Sequence, residues 1–272
     1  MRIYIHTDLE GVSGLDEEEQ RQFEKQDLYR QSCEKLMHDV NASIEGAFEG
    51  GADEVIVMDG HAGIQRMNFI LEMLDKRAEY DPRDESRWWG MLDETCDATF
   101  FVGAHAMAGT LNGFLDHTQS STTIQNFLIN GRKVGELAIW ATLAGGFGVP
   151  MVMVSGDEAA CAEARAFFSP IETAAVKQGV GRNKAIAYPL EEARARVREA
   201  ARRSLALVEQ AKPFRPILPI EVKVEYMKSN FCDEAAARPG AERLDARTIR
   251  MVIEDPRDVL PWRPFTNAEG RA

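Results

Sequence analysis

The sequence predicts an α/β protein: a mostly parallel sheet with flanking helices, plus a smaller C-terminal α+β subdomain. Three observations carry this. Short apolar runs rich in β-branched and aromatic residues recur as RIYIHT at 2–7, EVIVMD at 54–59, TFFVGA at 99–104 and PMVMVSG at 150–156. Runs of that kind read as strands buried on both faces. Helical patterns lie between them, and strand–helix alternation implies a parallel sheet. From residue 189 the texture changes to a charged helical stretch followed by cleanly alternating segments. The expected division is therefore an α/β domain over 1–188 and the smaller subdomain over 189–272.

The elements follow in order. After the first strand, a polar-faced helix is expected from about 18 to 49. Its Leu36, Val40 and Ile44 repeat every four residues, and Gly50–Gly51 end it. EVIVMD is the second strand. MNFILEMLDKRA at 67–78 is a second helix candidate, and the stretch 76–97 is polar and irregular apart from Trp88–Trp89. TFFVGA is the third strand. VGELAIWATLAGGFG at 134–148 is a helix stopped by its glycines. PMVMVSG leads into DEAACAEARAFF at 157–168, a helix with Asp157 as N-cap. In the tail, PLEEARARVREAARRSLALVEQAKP is a long amphipathic helix. IEVKVEY at 220–226 and RTIRMVIED at 247–255 alternate as half-exposed strands do.

Composition narrows the partners. The chain has 272 residues, 44% of them apolar, enough for a full core. A formal net charge of -12 excludes nucleic acid, whose phosphates need a basic face, and gives no reason to expect an anionic membrane. It suits cations: metals, or the amine end of a peptide. Cys33, Cys96, Cys161 and Cys232 form no CxxC pair, so reduced thiols and a cytoplasmic location are expected. RIYI is too short for a signal peptide, and nothing approaches the roughly 20 apolar residues of a membrane span.

The chemistry lies at the strand ends. The first strand is followed by Asp8 and Glu10, the second ends in Asp59-Gly60-His61, and the third in Gly103-Ala104-His105. In a parallel sheet these ends share one edge, where α/β proteins bind ligands. Asp8 and Glu10, two apart, point the same way in extended backbone. A buried carboxylate is costly unless paired or bound to metal, and carboxylate plus imidazole is a ligand set for zinc, manganese or iron. Glu136 heads a predicted helix. With Asp8 as bridge, five residues can hold two ions: Asp8, Glu10 and Glu136 on one, and Asp8, His61 and His105 on the other. Paired ions are a recurring device for hydrolysis. A cap or salt bridge for the DxE pair, and a helix-dipole role for Glu136, remain the competing structural readings. His38 reads as a surface residue and His6 as structural. His117, on a glycine-containing loop, can reach the same edge as acid, base or oxyanion donor.

DLEGVSG at 8–14, DGH at 59–61, GAHA at 103–106, NGRKVGE at 130–136, VSGD at 154–157 and TAAVKQG at 173–179 occur in the order found in one family. The chain resembles the M55 peptidases, the D-aminopeptidases, through about its first 190 residues. The resemblance implies an α/β domain with a smaller C-terminal one, and two Zn2+ per subunit. It implies Asp8 as bridging aspartate, Glu10 and Glu136 as ligands of the first zinc, and His61 and His105 as ligands of the second. His117 matches the family's catalytic histidine. The implied activity is removal of N-terminal, D-configured residues from short peptides or amino-acid amides. The implied assembly is a homodecamer of two stacked rings with inward-facing sites. Two rival functions stand beside it: a dinuclear-metal amidohydrolase acting on another small amide, lactam or L-peptide, and a non-catalytic metal-dependent binding protein. Trp88–Trp89 is either an interface anchor or packing within its own domain.

Overall fold

The computed structural model describes residues 1–62, 67–82 and 89–260. Twelve strands and five α-helices follow one another among them. The strands are β1 (Arg2–Thr7), β2 (Glu54–Asp59), β3 (Glu79–Tyr80), β4 (Ala98–Ala104), β5 (Ile124–Ile129), β6 (Arg132–Val134), β7 (Met151–Asp157), β8 (Glu172–Gly181), β9 (Lys184–Ala187), β10 (Ile220–Tyr226), β11 (Glu242–Arg243) and β12 (Thr248–Ile253). The helices are α1 (Gln26–Glu49), α2 (Glu136–Gly146), α3 (Glu158–Phe167), α4 (Leu190–Ser204) and α5 (Ser229–Ala236).

The larger sheet runs β3-β2-β1-β4-β7-β8-β9, parallel except for β9. All four predicted core strands lie in it. Their apolar residues face both ways, as continuous runs require. On β1, Ile3 and Ile5 join one core with Val40 and Ile44 of α1 and Val197 of α4. Tyr4 points into the other core, with Trp140 of α2 and Phe127, Val222 and Ile249 of the second sheet. That second sheet is antiparallel, ordered β11-β12-β10-β5-β6. On β10, Ile220, Val222, Val224 and Tyr226 are buried and alternate with half-buried Glu221, Lys223 and Glu225, the period of two read from the sequence.

β5 and β6 form a hairpin turned by Asn130 and Gly131, both at positive φ (49° and 77°). That is the geometry of a type I′ turn, which Asn-Gly favours. Asp157 caps α3 as expected, its Oδ1 accepting from the Ala160 amide at 2.8 Å. Among the described residues no helix is long and apolar enough to cross a membrane.

Two expectations need correction, and one open choice is decided. The first helix begins at Gln26 rather than 18, after a short 3-10 turn over Glu18–Arg21. The stretch 67–78 is no helix; its only regular piece is a 3-10 turn, Leu71–Met73. Tertiary hydrogen bonds outweigh its local propensity. The Asn68 amide and side chain bond Asp59 at 2.7 and 2.9 Å, and the Asn41 side chain takes the Met73 carbonyl at 2.9 Å. Trp89 is buried in its own chain, 5.4 Å from the Trp140 ring, whereas Trp88 lies outside the described residues.

Candidate metal centre

Strand order places the site. β1 is flanked by β2 and β4, and the chain runs outward from it in both directions. The C-terminal ends at such a switch point leave a crevice in an open α/β sheet. Beyond β1 the loop lies directly on the end of β4. The Asp8 amide donates to the Val102 carbonyl and the Gly11 amide to the Gly103 carbonyl, both at 2.8 Å. No side chain fits between them. A Cβ on Gly11 would sit 2.0 Å from the Ala104 oxygen, and one on Gly103 would sit 2.1 Å from the Asp8 oxygen. Gly103 also has φ +81°, which favours glycine.

This contact brings Asp8 between two imidazoles. Asp8 Oδ1 is 2.9 Å from His61 Nδ1, and its Oδ2 is 3.3 Å from His105 Nε2. Glu10 Oε2 lies on the His61 side, 2.9 Å from Nδ1. Glu136 Oε1 lies on the other, 3.4 Å from His105 Nε2 and 3.7 Å from His117 Nε2. Glu136 arrives from the first turn of α2 and accepts the Gln119 amide at 2.7 Å. The rings of His105 and His117 stack at 3.9 Å.

All six residues singled out in the sequence therefore meet at one place. Two groups can each hold an ion, with ligand atoms within 4.8 Å of one another: Asp8, Glu10 and His61, and His105, His117 and Glu136. This sorts the carboxylates differently from the expected sets, in which Glu10 and Glu136 shared one ion. Here each glutamate sits with an imidazole, and His117 lies within reach of an ion. His38 is exposed on α1, and His6 is buried, its ring stacked on Trp140 at 4.4 Å.

Electrostatics explains the pairing. Burial opposes charge on His61, but Glu10 and Asp8 outweigh it and hold the ring's pKa up at about 10. Burial likewise opposes charge on His105, and Glu136 and Asp8 raise it well above the usual histidine value. Burial acts to raise Glu136, yet His105 and His117 bring it down to about 2. Glu10 is held well below its usual range, His61 overcoming the effect of burial. His117 differs: burial, then the charge on His105, push it down. Its Nδ1 faces the Leu115 carbonyl at 2.7 Å. A carbonyl only accepts, so Nδ1 carries the hydrogen and the neutral ring presents a bare Nε2.

The donor set fits metal. His105 Nδ1 donates to the Ala106 carbonyl at 3.1 Å, leaving Nε2 toward Asp8 and Glu136. Orientation of one ring nitrogen by a carbonyl is typical of metal-ligating histidines. Glu10 Oε2, buried and 2.9 Å from His61 Nδ1, makes no hydrogen bond, so its lone pairs are available to an ion.

Several residues of the centre were not picked out from the sequence. Lys177 of β8 is fully buried beneath Glu10; its Nζ donates to the Glu10 carbonyl at 2.7 Å and the Leu15 carbonyl at 2.5 Å. The same Nζ lies 4.7 Å from the centre of the Phe114 ring, in the loop that carries His117. Burial pulls its pKa down to about 7 despite Asp157 and Asp39. A lysine at an otherwise apolar strand position was the available signal. The ligand groups open into a cavity of about 350 Å³ walled on one side by Trp89, Ile139, Trp140 and Leu143, with Arg21 also at its edge.

An α/β chain with two adjacent carboxylate–imidazole groups at a sheet edge, Asp8 of one lying 3.3 Å from His105 of the other, has the architecture of a metal-dependent hydrolase. The family model for Peptidase M55, described as D-aminopeptidase, matches residues 1–264, and the chain belongs to that family. It is 31% identical over 264 residues to a D-aminopeptidase of Bacillus subtilis strain 168, covering 94% of this chain and 92% of the relative. It superposes with a TM-score of 0.89 at 27% identity on the structure of the Zn-dependent D-aminopeptidase DppA from Bacillus subtilis, described as a self-compartmentalizing protease. That match covers 99% of this chain and all of the other.

Two outcomes follow from this geometry. Gly103→Ala strains the backbone and drives a methyl into Asp8, costing about 2 kcal/mol or more, whereas Gly131→Ala, also at positive φ but with nothing within 4 Å, carries only the backbone cost. Urea denaturation of both checks this; equal losses would contradict close packing of the loop on β4. In the second, metal must displace protons. With His61 titrating at about 10 and His105 also raised, both are charged at pH 7 in the metal-free protein, yet ligation needs them neutral. Apparent affinity for a divalent ion therefore climbs as pH rises toward about 10 and weakens below. Calorimetry in buffers of different ionisation enthalpy should find about two protons released per chain at pH 7; release of none would refute this ionisation.

Proposed function

We propose that this chain is a dizinc aminopeptidase that removes N-terminal D-amino acids from short peptides or amino-acid amides. The observation that carries the reading is Asp8, one carboxylate oxygen toward His61 and the other toward His105. In this reading Asp8 bridges two ions, Glu10, His61, His105 and Glu136 complete the ligands, and His117 is catalytic. All six lie within 1–188, proposed as the catalytic domain, with 189–272 as the smaller subdomain.

Zinc, when bound, supplies Lewis acidity, lowering the pKa of water to about 7 and polarising the scissile carbonyl. The protein supplies the rest. The substrate's α-amine, in its neutral form, would sit beside Glu10 and Glu136, which restricts cleavage to the N-terminal residue. His117, neutral and oriented by the Leu115 carbonyl, takes a proton at Nε2 and delivers it to the leaving amine. The wall of Trp140 and Ile139 excludes water on one side.

Metal analysis and substrate panels test this together. Protein purified without chelator should carry more than one equivalent of zinc per chain and hydrolyse D-aminoacyl amides in preference to their L-enantiomers. His117→Ala should keep its zinc and lose at least about 100-fold in kcat. Zinc content near zero that added zinc does not restore would refute the dinuclear centre. Loss of zinc in a folded His117→Ala would make His117 a ligand, which its proximity to Glu136 allows.

We further propose a cytoplasmic homodecamer with enclosed active sites. All four cysteines are free and buried, in keeping with a reducing compartment, and the DppA structure is described as self-compartmentalizing. Light scattering should give a mass near ten chains; a fully active monomer would refute the enclosure.

A further inference from the structure

We propose that Arg21 binds the free C-terminal carboxylate of the substrate, so that the enzyme selects short zwitterionic peptides over their amides. This rests on the aminopeptidase reading and adds the far end of the substrate. Arg21 lines the same cavity as Asp8, Glu10 and Glu136, and is the only arginine or lysine doing so among the described residues. A cation beside an acidic centre would normally be spent on it. Arg21 is not. Its nearest carboxylate is Glu18, 3.6 Å from a guanidinium nitrogen, too far for a hydrogen bond. Its Nε is buried with no hydrogen-bond partner. An arginine carries five donors in a planar fork that matches a carboxylate, and here the two terminal nitrogens make no hydrogen bond, Glu18 standing 3.6 Å away.

The side chain is not on a loose tether. It ends the 3-10 turn Glu18–Arg21, and Gln20 braces that turn. The Gln20 side-chain oxygen accepts the Asp16 and Glu17 amides at 2.8 Å each, and the Gln20 carbonyl accepts the Ser32 hydroxyl of α1 at 2.8 Å. The ligand groups and a guanidinium thus line one cavity. A short peptide with both termini free can place its α-amine beside Glu10 and Glu136 and its carboxylate on Arg21. A volume of about 350 Å³ lies at the small end of ligand pockets, which suits a dipeptide or tripeptide. Charge-assisted hydrogen bonds to a carboxylate are strong enough to discriminate between termini.

The test compares D-alanylglycine with D-alanylglycinamide on the zinc-loaded protein. The two differ only at the C-terminus. Wild type should favour the free acid in kcat/KM by roughly 10- to 100-fold, the effect of one charged hydrogen-bonded pair. Arg21→Ala should bring that ratio close to one, mainly by raising KM for the acid, and Arg21→Lys should restore part of it. Glu18→Gln should keep the preference, which separates carboxylate binding from loss of a surface ion pair. Equal rates on acid and amide in wild type, or equal loss on both in Arg21→Ala, would overturn the proposal while leaving the aminopeptidase intact. Hydrolysis of neither substrate would overturn both.

Discussion

Everything at the centre depends on one backbone contact. β1 and β4 are parallel neighbours, and the loop that leaves β1 touches the end of β4 through Gly11 and Gly103 without intervening side chains. That closeness puts Asp8 within reach of His105, while the pairing of β1 with β2 puts it within reach of His61. Asp8 lies between the two imidazoles because the sheet leaves it between two strand ends.

The second constraint is charge. Three carboxylates are gathered where water is largely excluded, and buried charges of one sign are expensive. In the metal-free protein, protons on His61 and His105 balance them, which is why both rings are held basic and both glutamates acidic. Two divalent ions in the same positions, bound by neutral rings, would more than replace that positive charge. The side chains thus have reason to stay in place in both states, and exchange of protons for metal need not reorganise the fold. His117 is the exception: burial and the charge on His105 lower its pKa, so it holds no proton in this balance.

Two cations near the acidic centre play different parts. Lys177 spends its donors inward, on the carbonyls of Glu10 and Leu15, and so fixes the loop from beneath. Arg21 lines the cavity, its Nε buried without a hydrogen bond and its terminal nitrogen 3.6 Å from Glu18.

The local pattern of the sequence was enough to place β1, β2, β4 and β7, the cap of α3, and the strand ends carrying Asp8, Glu10, His61 and His105. Apolar runs and their terminating residues are set by neighbours along the chain, and the edge they share follows from parallel pairing. Glu136 and His117 were picked out, but their convergence was not derivable from spacing, because it runs through the β5–β6 hairpin and the loop before it. The Asn130-Gly131 turn was legible as a hairpin signal; its pairing with β10, nearly a hundred residues on, was not. Only the tertiary structure decided that 67–78 would surrender its helix to hydrogen bonds from Asn41 and Asn68. It also decided that Trp89 would face its own core and that each glutamate would pair with an imidazole. Each of these depends on energies between residues far apart in the chain, and such contacts leave no periodic trace in the sequence.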